Sequence, residues 1–225
     1  MASESSDSVL LTAVRAVAIS PEKAMQQISQ YKASARKRNS EADDEQIEDI
    51  VSAKIIAKYA RYTALSGGVF ALPGIVPGVG TVAAAVGGGA GDAVACLKAQ
   101  VDMTMLLAAN FGWDLTELDA QHLAMLIAVS SGLEKLGVQS GAPVASKAGV
   151  KMLRQYLTGT TLTALKQFFN RFGVTFTRTA LEKAFPFGVG VVAGSSLNYL
   201  LTRYVGAEAV KCFKIDREMR MEAGG

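Results

Sequence analysis

The sequence predicts an all-α protein, a multi-helix bundle with glycine-rich central helices. Apolar residues recur at spacings of three and four over most of the chain. Helix-starting and helix-ending residues separate these stretches, and no run alternates apolar and polar side chains between turns as a strand would. At 225 residues, half of them apolar, the chain is long enough to bury a sizeable core.

The first elements are predicted from capping residues and apolar stripes. A short stripe covers residues 9–17. Ser20-Pro21-Glu22 predicts a helix start, since a capping hydroxyl, a first-turn proline and an acid follow one another. That helix reaches the basic cluster 36–38. The next helix has acids in its first turn and ends near the glycine pair 67–68. Its Ile47, Ile50, Val51, Ile55 and Tyr62 have the spacing of one helix face.

Later helices follow the same signals. Thr116-Glu117-Leu118-Asp119 resembles a capping box and predicts a helix that ends near Gly137. Further helices are predicted over 144–158, 160–172 and 175–184, and the tail 188–214 predicts the last one. We divide the chain into an N-terminal helical appendage, 1–40, and a helical domain, 41–225.

An uncharged stretch lies between Arg61 and Asp92. Its thirty positions include nine glycines and two prolines, and no lysine follows the glycines as a P-loop requires. A helix needs roughly 20 apolar residues to cross a bilayer, but Pro73 and Pro77 divide the stretch into two short arms and predict a hairpin. A hairpin dipping into one leaflet, a hairpin in a soluble core and a true crossing all stay open.

Small residues in and near this stretch are spaced by four, which lets helix backbones approach closely. The predicted helix-packing positions are Gly80, Ala84 and Gly88, with Gly190 and Gly194 in the last helix.

The last third of the chain is basic. Residues 145–225 carry 12 basic and 5 acidic side chains, and phenylalanines lie among the cations. This mixture is typical of an interfacial surface on anionic lipid, with Lys166, Phe169, Arg171 and Phe172 as candidate contacts. It could also stack single-stranded nucleic acid, but no nucleic-acid motif accompanies it. We therefore expect anionic membrane lipid or a membrane protein as the partner, and no nucleic acid.

Other polar candidates lie near and within the last predicted helix. Arg178, Glu182, Asn198 and Arg203 could form a ligand-binding site or a buried polar network.

Lys98 and Asp102 stand at ion-pair spacing, after Asp92. They suit either acid–base chemistry or an exposed helix face. His122, the only histidine, is predicted to be a core or boundary residue and not a catalytic one. Cys96 and Cys212 are interpreted as small buried hydrophobes in a reducing compartment. The sequence predicts no catalytic residues, no metal site and no cofactor.

Three blocks carry a family resemblance. "AKYARYTALSGGVFALPGIVPGVGT", "FGWDLTELD" and "FTRTALEKAFPFGVGVVAGSSLNYLLTRYVG" resemble the EcsC family of bacterial proteins over roughly residues 45–217. The resemblance implies a helical, membrane-linked protein with an accessory role to an ABC transporter, and it supplies no catalytic residues.

The expected function is that of a cytoplasmic, membrane-associated helical protein, peripheral to or partly embedded in the inner membrane face, that binds lipid or a membrane partner. Acids before the first apolar run and the absence of a basic leader argue against a secretory signal. Two alternatives stay open: a soluble interaction or regulatory module, and an enzyme with its site near Arg178, Glu182 and Asn198.

Overall fold

The computed structural model describes residues 18–66, 91–135, 142–155, 157 and 191–224. In these ranges the chain forms six α-helices and no strand, which confirms the predicted all-α class. The helices are α1 (Pro21–Arg38), α2 (Asp44–Ser66), α3 (Gly91–Asn110), α4 (Leu118–Lys135), α5 (Lys147–Arg154) and α6 (Val191–Gly224).

Helix α1 begins and ends as the sequence predicts. The Ser20 hydroxyl accepts a hydrogen bond from the Lys23 N–H, and Pro21 occupies the first turn. The predicted boundary at residue 40 lies in the loop between α1 and α2. Helix α1 nevertheless packs on α2 and α3, and its Ala24, Ile28 and Ala35 belong to the common core.

The predicted apolar face of helix α2 is buried only in part. Ile47, Val51 and Ile55 are buried, but the Ile50 side chain is 38% exposed. Ile50 lies about 100° from Val51 around the helix, on the side of α2 where Lys54 and Arg61 are also exposed.

Helix α3 lies at the centre of the fold. Every residue from Cys96 to Ala108 is buried, because α1, α2, α4 and α6 all pack against this helix. Such all-round burial is usual for a helix that is apolar on every face. Here it also encloses four polar side chains: Lys98, Gln100, Asp102 and Thr104.

Helix α4 begins at Leu118, two residues after Thr116, the predicted capping residue. The Asp114 carboxylate accepts hydrogen bonds from the Thr116 N–H, at 2.9 Å, and from the Thr116 hydroxyl, at 2.7 Å. Thr116 is therefore held in the turn before the helix.

The last two helices differ in length from their predictions. Helix α5 is shorter than the predicted 144–158, whereas α6 extends ten residues beyond the predicted end of the tail helix at 214. They are joined by contacts that include an ion pair of 2.5 Å between Arg154 and Asp216. The helices predicted over 160–172 and 175–184, and the hairpin at "PGIVPG", lie outside the described residues.

The long helices give the bundle two distinct ends. We call the Leu65 end the one at which α2 ends and α3 and α6 begin. The Asp44 end is the opposite one, at which α2 begins. Among the helices within the described ranges, none is both long and apolar enough to cross a bilayer.

Candidate functional site

Helices α2 and α6 run antiparallel, which brings the last turns of one beside the first turns of the other. The hydroxyls of Thr63 and Thr202 lie 2.9 Å apart, and the Thr63 hydroxyl also lies 3.3 Å from the Asn198 carbonyl. Nearer the middle, α6 has no side chain at Gly206, where an added Cβ would lie 2.6 Å from Cγ1 of Ile56. Hydroxyl pairing and a small residue thus allow the two backbones to approach closely.

Three leucines are exposed at the Leu65 end. Leu65 on α2 is 74% exposed, and Leu197 and Leu200 on α6 are 51% and 58% exposed. The Thr63 contacts place these leucines at one end of the bundle, because they join the same turns. Isolated exposed leucines are ordinary, whereas several at one place mark a surface that contacts something apolar.

The charges that α2 and α6 contribute at this end are basic. No acid occurs at residues 50–66 of α2 or 191–207 of α6. Arg61 and Arg203 are both exposed. Arg203 donates to the Tyr199 hydroxyl at 3.3 Å and lies over that ring, and Arg61 forms no ion pair with any described residue. We call the set Arg61, Leu65, Leu197, Leu200 and Arg203 the leucine–arginine surface.

The Asp44 end has the opposite character. Acids at the start of α2 pair with bases in the second half of α6. Glu48 lies 2.8 Å from Arg217, and Asp49 lies 2.9 Å from Lys214. Arg217 also lies over the Phe111 ring. The charges here therefore hold two helices together.

A buried ion pair lies inside the bundle. Lys98 and Asp102 are only 6% and 7% exposed, and the lysine donates to the aspartate. The other carboxylate oxygen accepts from the Ile19 N–H at 2.8 Å. Burial raises the pKa of Asp102, and the Lys98 ammonium opposes that rise. The interpretation that Lys98 and Asp102 belong to an exposed helix face is therefore wrong, because the pair is enclosed.

The predicted polar network falls only partly within the described chain. Asn198 is buried in α6, whereas Arg203 is exposed. Five residues place them about 140° apart around the helix, so these two do not form one cluster. Arg178 and Glu182 lie outside the described residues, and a network through them stays a prediction.

The other predicted positions are less informative. Gly194 lies within α6. The remaining candidates lie outside the described residues: Lys166, Phe169, Arg171, Phe172, Gly80, Ala84, Gly88 and Gly190. Asp92 lies in the first turn of α3. His122 is buried, as predicted, and so are both cysteines, Cys96 and Cys212.

No metal centre is evident in this part of the chain. The described ranges contain no group of three or more histidine, cysteine, aspartate or glutamate side chains that could hold a metal ion.

Sequence reasoning missed the three exposed leucines and Gly206. Leu197 and Leu200 stand three apart and are followed by Arg203, a spacing that puts them on neighbouring parts of one helix face. The absence of acids over the same turns was a further signal.

Comparison of the chain with protein-family models, with curated proteins and with solved structures finds no match.

Proposed function

We propose that this protein is a peripheral, membrane-associated helical protein that binds the surface of an anionic membrane through the leucine–arginine surface. The single observation that carries the proposal is the coincidence, at one end of the bundle, of three exposed leucines with two exposed arginines and no acid on either contributing half-helix.

The energetics of such a surface favour lipid over water. Burying a leucine side chain contributes about 1.5–3 kcal/mol, and a cation near an anionic surface adds about 1 kcal/mol. Tyr199 beside Arg203 supplies a ring with a polar hydroxyl, which suits headgroup depth. Apolar insertion and charge attraction together make two signals, as stable attachment requires.

The chain around this surface supports the same proposal. In the sequence, the uncharged stretch follows α2 and precedes α3, and the segment containing Lys166, Phe169, Arg171 and Phe172 precedes α6. The resemblance to EcsC proteins adds a finer proposal, namely residence at the cytoplasmic face and an accessory role to an ABC exporter.

Flotation of the full-length protein with liposomes tests the proposal. We expect the protein to float with anionic vesicles and less well with neutral ones. Leu200→Glu should lower the partition coefficient on anionic vesicles at least about tenfold, because it replaces an inserted apolar group by an acid.

Leu118→Glu is the matched control, since Leu118 is 56% exposed and lies at the start of α4, away from the leucine–arginine surface. It adds the same acid and should leave flotation unchanged. If the two variants float equally, or if the wild-type protein floats with neither lipid, the proposal is wrong. If the protein floats only with vesicles that contain a membrane protein, its partner is that membrane protein and not the lipid.

A further inference from the structure

A cavity of about 250 Å³ lies beneath the segment that leads into α1. Ile19 and Ser20 form one wall, α3 contributes Met105, and α4 contributes Gln121, His122 and Met125. The cavity shares no lining residue with the leucine–arginine surface, and the inference drawn from it does not depend on the proposed function.

The wall over this cavity is fixed in place. The Ile19 N–H donates to the buried Asp102 carboxylate at 2.8 Å, and Lys98 neutralises the same carboxylate. One residue later the Ser20 hydroxyl caps α1. A backbone held at two consecutive residues keeps its place, so the cavity is preformed and requires little ordering on binding.

The chemistry of the lining indicates what it would accept. None of the described residues that line the cavity is a lysine, arginine, aspartate or glutamate, so these residues offer a charged ligand no compensation for its lost hydration. Met105 and Met125 are adaptable apolar groups that make favourable contacts with aromatic rings. His122 and Gln121 supply polar groups; the Gln121 amide already donates to the Leu115 carbonyl at 2.9 Å, which fixes its orientation.

We propose that this cavity is a binding site for a small neutral ligand with a flat apolar body and one hydrogen-bonding group. A cavity of about 150 Å³ in another protein accepts benzene, so 250 Å³ has room for a fused two-ring body. The methionines contact the ring faces, and the polar edge of the ligand turns toward His122.

Titration of the full-length protein with indole, followed through ¹³C-labelled methionine methyl signals, tests the proposal. We expect saturable shifts at Met105 and Met125. Met103 is the internal control: it is fully buried on the same helix as Met105 but does not line the cavity. No saturable shift up to millimolar indole, or equal shifts at Met103, would overturn the proposal.

A second comparison tests the hydrogen bond. Indene has the shape of indole without its N–H, so it should bind the wild-type protein about tenfold more weakly. In His122→Phe the two ligands should bind equally, with indene affinity within about twofold of wild type. Retention of the full indole preference in this variant would remove His122 from the site. The wild-type titration decides the proposal even if this variant does not fold.

Discussion

The two ends of the α2–α6 pair use charge in opposite ways. At the Asp44 end, acids of α2 meet bases of α6 at distances near 2.8 Å. At the Leu65 end the cations have no acidic partner on either helix, and leucines beside them are exposed. The comparison teaches that the same two helices can use ion pairs to hold each other at one end and leave cations available to a partner at the other.

Charges in the interior are also paired, as they are at the Asp44 end. Asp102 is paired with Lys98 and also accepts a backbone hydrogen bond, because an unpaired charge away from water is far more costly than one at the surface. If the comparison is right, unpairing a charge should matter most in α3, less at the Asp44 end and least at the Leu65 end.

The largest effect is expected from Lys98→Met, which leaves the Asp102 carboxylate buried without its cation. The free energy of unfolding should fall by about 3–5 kcal/mol at neutral pH. The folded-state pKa of Asp102, already raised by burial, should rise further. Between its ordinary pKa and this raised value the folded protein binds more protons than the unfolded one, so stability falls as pH rises.

Urea denaturation at several pH values measures this effect, and the loss should shrink on acidification. Lys98→Met/Asp102→Asn is the control, since the amide keeps an acceptor for the Ile19 N–H while removing the charge. It should recover most of the stability. A loss that is independent of pH and persists in the double variant would mean that packing, not charge, explains the effect.

The next effect concerns the close contact between α2 and α6 at Gly206. Gly206→Leu places a side chain where a Cβ already meets Ile56, and we expect a loss of about 1–3 kcal/mol. The neighbouring Ala207 is exposed, so Ala207→Leu should leave the melting temperature nearly unchanged. Equal effects of the two substitutions would contradict the close approach of α2 and α6.

A smaller effect is expected from Arg217→Met at the Asp44 end. The variant loses the 2.8 Å pair with the largely buried Glu48 side chain, at a cost of about 1 kcal/mol. Lys147, exposed and paired with the exposed Glu222, serves as the control, because Lys147→Met should cause no measurable change. Urea denaturation of both variants checks the difference. A loss as large for Lys147→Met as for Arg217→Met would break the distinction between partly buried and exposed pairs.

The smallest effect on stability is expected from Arg61→Met at the Leu65 end. Arg61 is exposed and unpaired with any described residue, so the free energy of unfolding should change by less than about 0.5 kcal/mol. The preference for anionic over neutral vesicles should nevertheless decrease, because one cation of the leucine–arginine surface is gone. A large loss of stability with unaltered flotation would assign Arg61 to the fold instead of the surface.

Local signals predicted much of the fold. Ser20 and Pro21 predicted the start of α1 because capping depends on neighbouring residues alone. The apolar context of Cys96, His122 and Cys212 predicted their burial for a similar reason. Thr116 was misassigned as a cap because Asp114, two residues earlier, competes for its hydrogen-bonding groups.

The rest depends on how the helices meet. The spacing of Lys98 and Asp102 is visible in the sequence, but their enclosure follows from four helices surrounding α3. The exposure of Leu200 follows from which face of α6 packs on α2, and periodicity gives no sign of that choice when both faces contain apolar residues. The cavity exists only because three separate segments meet there.

The length of α6 has an electrical consequence. Leu200 and Arg217 are separated by 17 residues, or about 26 Å along the axis at roughly 1.5 Å per residue. Because the Debye length at physiological salt is about 8 Å, acids at the start of α2 lie some three screening lengths from anything that touches Leu200. The length of α6 thus keeps the acids of the Asp44 end too far away to repel an anionic surface at the Leu65 end.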